Sequence, residues 1–165
     1  MNLQEMFQLQ RILDERIETE HELLNEDLFD KKVLALLVEV GELANETRCF
    51  KFWSEKAASP KEVILEEFVD GLHFILSLGI VLKFHDYVND IPLAGEIGEM
   101  DATAKFIEVF AQIQALQQKK SEAAYWKLYQ SYYELGKILG FTPEEVEAAY
   151  LAKNQVNHKR QDEGY

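Results

Sequence analysis

Four carboxylates stand out for where they sit. Glu39 and Glu42 fall one helical turn apart in Leu36-Leu37-Val38-Glu39-Val40-Gly41-Glu42-Leu43-Ala44-Asn45-Glu46, and Glu67 and Asp70 repeat that spacing in Glu66-Glu67-Phe68-Val69-Asp70-Gly71-Leu72-His73-Phe74. On a 3.6-residue period Glu39 shares a face with Ala35, Leu36 and Leu43, while Glu67 and Asp70 share one with Val63, Ile64, Phe74 and Ser77. The amphipathic pattern therefore turns these acids toward a core. An unpaired carboxylate there is costly, and four together cannot all remain ionised without a cation. Oxygen donors without cysteine, and with histidine only nearby, suit a hard ion such as Mg²⁺ or Mn²⁺ better than zinc.

Helices must position these groups, and the hydrophobic periodicity supplies them. Met6, Leu9, Ile12, Leu13 and Ile17 predict a first helix from Leu3 to about Leu24. Gln10 and Asp14 lie one turn apart beside that stripe, and on spacing alone they read as a solvated face. A second helix is expected from an N-cap at Asp30 to about Glu46 or Thr47. Ser59-Pro60-Lys61-Glu62 combines an N-cap serine, a proline at the first helical position and a capping-box glutamate, and opens a third helix running to about His85. Asn89 to Gly98, with Pro92, is the clearest break, which fits a hinge within one bundle as well as a boundary, and the chain is taken as one domain covering 1–165. A fourth helix is predicted over about Ala102 to Gln118. A fifth starts at Ser121, carries Tyr125, Trp126, Tyr129 and Tyr132 as a core or subunit-interface stripe, and stops at Gly140. Thr142-Pro143-Glu144-Glu145 opens a sixth. No useful strand alternation occurs, so the class is all-α: a single-domain bundle of about six helices, two of them acidic.

Composition narrows the function. The chain has 165 residues, 47% hydrophobic and 12% aromatic, and a net charge of −13 from 17 basic and 30 acidic groups. Such a charge argues against general binding to nucleic acid or to an anionic membrane. It leaves room for a small phosphate ligand when metal ions carry the compensating charge. One cysteine, Cys49, excludes an internal disulfide and is expected to be a part-buried apolar residue. No leader and no membrane-spanning run is visible, which predicts a cytoplasmic protein.

Two further segments can do chemistry. Arg48-Cys49-Phe50-Lys51-Phe52-Trp53-Ser54 alternates basic and aromatic residues without a helical period, as a loop that stacks on a base and holds a phosphate does, or as one tucked onto the core does. The stretch Ala152 to Tyr165 is the strongly basic one. It reads either as a frayed tail or as a helix that aligns Lys153, Asn157, Arg160 and Gln161 on one face for a phosphate.

Taken together, Glu39-x-x-Glu42, Glu67-x-x-Asp70-Gly-Leu-His-Phe, the Phe50-Lys51-Phe52-Trp53 loop, Leu9-Gln10-x-x-Leu13-Asp14 and the Lys153-Asn-x-x-Asn-x-x-Arg-Gln-Asp-x-Gly-Tyr ending resemble the dimeric all-α dUTPases of the all-α nucleoside triphosphate pyrophosphatase superfamily. The family often carries asparagine where Asp14 stands, and more tryptophan in the loop than Trp53. The resemblance implies a homodimeric dUTP diphosphatase that yields dUMP and pyrophosphate, with dUDP as a further candidate substrate. It implies that Glu39, Glu42, Glu67 and Asp70 hold about two or three Mg²⁺ ions, with Mn²⁺ as a substitute, and that Glu39 or Glu42 takes the proton of the attacking water. Lys153, Asn154, Asn157, Arg160 and Lys51 would bind phosphates. Gln10, Asp14, Trp53 and Phe74 would face the base and sugar, and His73 would support them from the core.

Three alternatives stand beside this one. A related pyrophosphatase would share the metal chemistry with a different base preference, as a dCTP pyrophosphatase or a general house-cleaning hydrolase. A di-iron bundle would use Asp70-x-x-His73 and Glu18-x-x-His21. A non-catalytic helical dimer would bind its cation for stability alone, or act through a protein partner.

Overall fold

The computed structural model describes residues 2–85 and 101–164, and over them the chain forms six helices and no strand. They are α1 (Leu3–Glu20), α2 (Phe29–Thr47), α3 (Lys61–Val81), α4 (Ala102–Lys119), α5 (Glu122–Ile138) and α6 (Pro143–Asp162). The all-α bundle expected from the sequence is what forms. The Asn89 to Gly98 break and the terminal Tyr165 lie outside the described residues.

α3 is the central element, packed against α1, α2, α5 and α6. Its buried residues fall on nearly every side, from Phe68 and Val69 through Leu72 and Ile75 to Leu78 and Gly79, as a helix enclosed by others requires. Two glycines permit the closest approaches. A β-carbon at Gly71 would overlap the hydroxyl of Tyr132 and stand 2.9 Å from its Cζ, and one at Gly79 would stand 2.6 Å from Cζ of Tyr125. Both tyrosines donate to α3 carbonyls, Tyr132 to Phe68 at 2.8 Å and Tyr125 to Ile75 at 3.1 Å. The aromatic stripe of α5 is thus core, with Tyr125, Tyr129 and Tyr132 buried.

Helix α6 begins as its sequence predicts. Pro143 opens the first turn, Thr142 Oγ1 accepts from the Glu145 amide at 3.2 Å, and Glu145 accepts from the Thr142 amide at 2.9 Å. Its basic end is helix, not frayed tail. Arg16 of α1 donates to the His158 carbonyl at 3.1 Å and pairs with Asp162 at 2.7 Å, and His21 meets Gln161 at 3.1 Å.

Several expected boundaries move. Helix α1 stops at Glu20 rather than Leu24, because Glu22 takes a left-handed φ of +59°. Ile12 stands 53% exposed outside the buried stripe. Asp30 is not the cap of α2: the helix starts two residues earlier, and Asp27 accepts from the Phe29 amide at 3.0 Å. Ser59 does not cap α3, since its hydroxyl donates to Glu46 and Pro60 precedes the first turn. That helix closes at Val81, with Lys83 at φ +61°, before His85. Cys49 is exposed, in the turn that follows α2.

Candidate functional site

The pairing of α2 with α3 brings together carboxylates that the sequence keeps about thirty residues apart. Ligand-capable oxygens of Glu39, Glu67 and Asp70 lie within 4.8 Å of one another, each side chain half-buried. Glu42 is exposed and outside this cluster, one turn along α2, although its charge is felt by both Glu39 and Glu67. Burial, and then the charges of Asp70, Glu42 and Glu67, push the Glu39 carboxyl up to about 7. Glu67 is raised by burial and by Asp70, and Asp70 by burial against the opposing pull of Lys153. Three acids that mutually resist ionisation and offer only oxygen form a donor set that fits a hard divalent cation.

Lys153 of α6 reaches this cluster, 2.7 Å from Asp70 and 2.9 Å from Glu66. Burial lowers its affinity for a proton, but the two carboxylate partners outweigh that and raise it. Arg160, two turns further on, lowers the pKa of Glu66 and Asp70 by its charge.

A cleft of about 400 Å³ opens from Glu39 and Asp70. Its walls come from α1 (Gln10, Leu13, Asp14), α2 (Lys32, Glu39), α3 (Asp70, His73, Phe74, Ser77) and α6 (Asn157, Arg160, Gln161). It exists because α1 and α2 both pack beside other helices while no Cα of one comes within 8 Å of the other.

Running from His73, one turn past Asp70, to Lys32 and Ser77, two turns from the triad, a hydrogen-bonded network joins four helices. Asp14 accepts from Gln10 Nε2 at 2.8 Å through Oδ1, and from Lys32 Nζ at 3.2 Å and the Ser77 hydroxyl through Oδ2. Gln10 Oε1 accepts from the Tyr150 hydroxyl at 3.0 Å and meets His73 Nδ1 at 2.6 Å. Lys32 also pairs with Glu18 at 2.8 Å. The His73 ring stacks on Tyr150 at 4.3 Å, and burial drives its pKa down to about 3, so the imidazole is neutral. With the Asp14 carboxylate accepting from Gln10, the amide oxygen of Gln10 faces His73, which must then carry its proton on Nδ1.

The structure therefore brings Gln10, Asp14, Phe74, Asn157 and Arg160 to one cleft with Glu39 and Asp70, and sets Glu67 and Lys153 against the same carboxylates. Gln10 and Asp14 are buried, 3% and 9% exposed, which corrects the solvated face that their spacing suggests. Asn154, on α6, is buried, its Nδ2 without a partner among the described residues. Lys51 and Trp53 are not in the cleft. Lys51 donates to Asn45 and lies 5.6 Å from the Phe50 ring, and Trp53 is 64% exposed with Phe50 and Phe52 edge-on to it. Lys32, Ser77 and Tyr150 are cleft or network residues that sequence reasoning did not assign. Lys32 precedes Glu39 by two turns and Ser77 follows Asp70 by two turns, a repeat of seven that was available as a signal.

No helix among the described residues is long and apolar enough to cross a membrane. Curated proteins give no match. The family described as dUTPase matches residues 2–165. By that match over nearly its whole length, the chain belongs to the dUTPase family.

Proposed function

We propose that the chain hydrolyses dUTP to dUMP and pyrophosphate with a divalent cation held by Glu39, Glu67 and Asp70, Glu42 joining them from the next turn of α2. The observation that carries this reading is the carboxylate triad, two members of which, Glu39 and Asp70, line a nucleotide-sized cleft whose other end is a hydrogen-bonded network of Asp14, Lys32 and Ser77. About two or three Mg²⁺ ions, or Mn²⁺ in their place, would supply positive charge to the triphosphate and acidify water.

The protein's own groups then have distinct tasks. Glu39 takes the proton from the attacking water. The water oxygen bonds to the β-phosphorus as the bond from that phosphorus to the α,β-bridging oxygen breaks, which leaves dUMP and pyrophosphate. Lys153, Asn157 and Arg160 hold outer phosphates from α6, with Asn154 beneath them. Gln10 and Asp14 set the base end, and Phe74 lies against the deoxyribose, offering a 2′-hydroxyl no partner. Lys51 and Trp53 lie outside the cleft of their own chain and take no part in this reading.

The test is incubation with Mg²⁺ and an equimolar panel of dUTP, UTP, dCTP and dTTP, with monophosphates and pyrophosphate quantified. Preferential release of dUMP and pyrophosphate, lost on chelation, is expected. Preference for another nucleotide would overturn the base assignment in favour of a related pyrophosphatase, and no turnover would overturn the enzyme reading. The proposal extends to cleavage of dUDP, to a cytoplasmic location and to a homodimer. Support for the last comes from exposed Leu34 and Val38 on α2 and Ile107 on α4, helices that pack together. Sedimentation at the mass of one chain would count against it.

A further inference from the structure

We propose that Lys32 sets the choice of uracil over cytosine: its ammonium, clamped between Asp14 and Glu18, donates its remaining N–H to the O4 carbonyl of the uracil ring. The inference rests on the dUTP reading above and adds a residue to it.

The cleft has a polarity that can be measured along its helices. Lys32 precedes Glu39 on α2 and Ser77 follows Asp70 on α3, each by seven residues, so on both walls the inner end lies about 10 Å from the carboxylates. Asp14 closes that end by accepting from both Lys32 and Ser77. The span is that of an extended nucleotide from its phosphates to the far edge of its base, and at that far edge a pyrimidine carries the substituent on C4.

What the inner end can offer follows from counting donors and acceptors. Both oxygens of Asp14 are occupied, and the carbonyl of Gln10 accepts from Tyr150 and meets the protonated Nδ1 of His73. Lys32 has three N–H groups and spends two, on Asp14 at 3.2 Å and on Glu18 at 2.8 Å. Its side chain is 12% exposed and lines the cleft. The Gln10 amide likewise keeps one N–H. Lys32 and Gln10 thus keep N–H donors facing the cleft, while the acceptor capacity that remains beside them lies mainly on Asp14 and Glu18, the carboxylates already paired with the Lys32 ammonium. A ring with a carbonyl at C4 complements it, whereas the 4-amino group of cytosine sets donor against donor and leaves the ammonium N–H unpaired. The two carboxylates beside Lys32 also keep this end from attracting phosphate, so the substrate enters in one orientation.

The test measures kcat and KM for dUTP, dCTP and the pyrimidin-2-one deoxynucleoside triphosphate that lacks O4, on wild type and Lys32→Met. Wild type should favour dUTP over the O4-less analogue by about tenfold or more. In Lys32→Met that gap and the preference over dCTP should both shrink by about tenfold, chiefly through a higher KM for dUTP. Glu18→Gln with Lys32→Met, which keeps the carboxylate balance if the single variant folds poorly, should behave alike. An unchanged dUTP-to-dCTP ratio in a folded variant, an analogue penalty independent of Lys32, or no penalty in wild type would overturn the assignment. Absence of any dUTP turnover by wild type would instead remove the functional reading beneath it.

Discussion

Glu39 and His73 are both held away from their ordinary protonation, and in opposite senses. The Glu39 carboxyl rises from 4.5 to about 7, so between those values the folded protein holds more protons than the unfolded chain, and its contribution to stability falls as pH rises. The His73 imidazole drops from 6.5 to about 3, so the unfolded chain holds more protons there, and its contribution falls as pH is lowered, by about 2 kcal/mol at pH 5. In metal-free wild type the two slopes oppose each other between pH 5 and 6.5. Glu39→Gln removes one of them: its melting temperature in chelator should climb from pH 5 to pH 7 more steeply than that of wild type, and parallel profiles would count against the buried triad. The same variant should lose about a hundredfold or more in kcat with Mg²⁺ present, as measured by pyrophosphate release. These acids were legible because a carboxylate on an apolar helical face is anomalous in one dimension. Gln10 and Asp14 were not, since what lets them be buried comes from Lys32, His73, Ser77 and Tyr150 on three other helices. Lys32 itself follows Asp30 and Lys31, and among charged neighbours it looks like solvent-facing surface.

At the scale of elements, α3 works as a hub only because its glycines admit tyrosine rings. Gly71→Ala should destabilise the fold by about 1–3 kcal/mol, since Tyr132 is fully enclosed and cannot retreat. Tyr132→Phe should cost about 1 kcal/mol through the lost bond to the Phe68 carbonyl. Combined, the two should cost less than their sum, because the hydroxyl that meets the new methyl is gone; additive denaturation midpoints would show that the contact is not shared. Since Asp70 adjoins Gly71, turnover should fall with the alanine as well. The α6 start was readable because both halves of its capping box lie within four residues. The α2 and α3 starts were not, because Ser59 donates across the loop to Glu46 and Asp27, not Asp30, meets the first free amide of α2. Local capping rules succeed when the cap has no tertiary competitor. The stripe of α5 was readable since apolar periodicity records burial whichever helix supplies it.

For the whole molecule, the triad ties local charge to global stability. The chain carries a net charge of −13, so any salt will relieve some self-repulsion. A specific site behaves differently. A cation that binds the folded chain and not the unfolded one stabilises it in proportion to the logarithm of its concentration, by about 2.7 kcal/mol at a hundredfold excess over Kd. Because Glu39 lies on α2 and Glu67 and Asp70 on α3, that energy is delivered across the α2–α3 contact, which the bundle cannot unfold without breaking. Mg²⁺ should therefore raise the melting temperature well above that in NaCl of equal ionic strength, and chelation should return it to the NaCl value. In Glu39→Gln, and in Asp70→Asn, the two salts should become nearly equivalent. If Mg²⁺ and Na⁺ act alike on wild type, the carboxylates hold no divalent ion and the cleft loses its means of neutralising a triphosphate. If the difference survives in both variants, the ion sits elsewhere on this acidic surface.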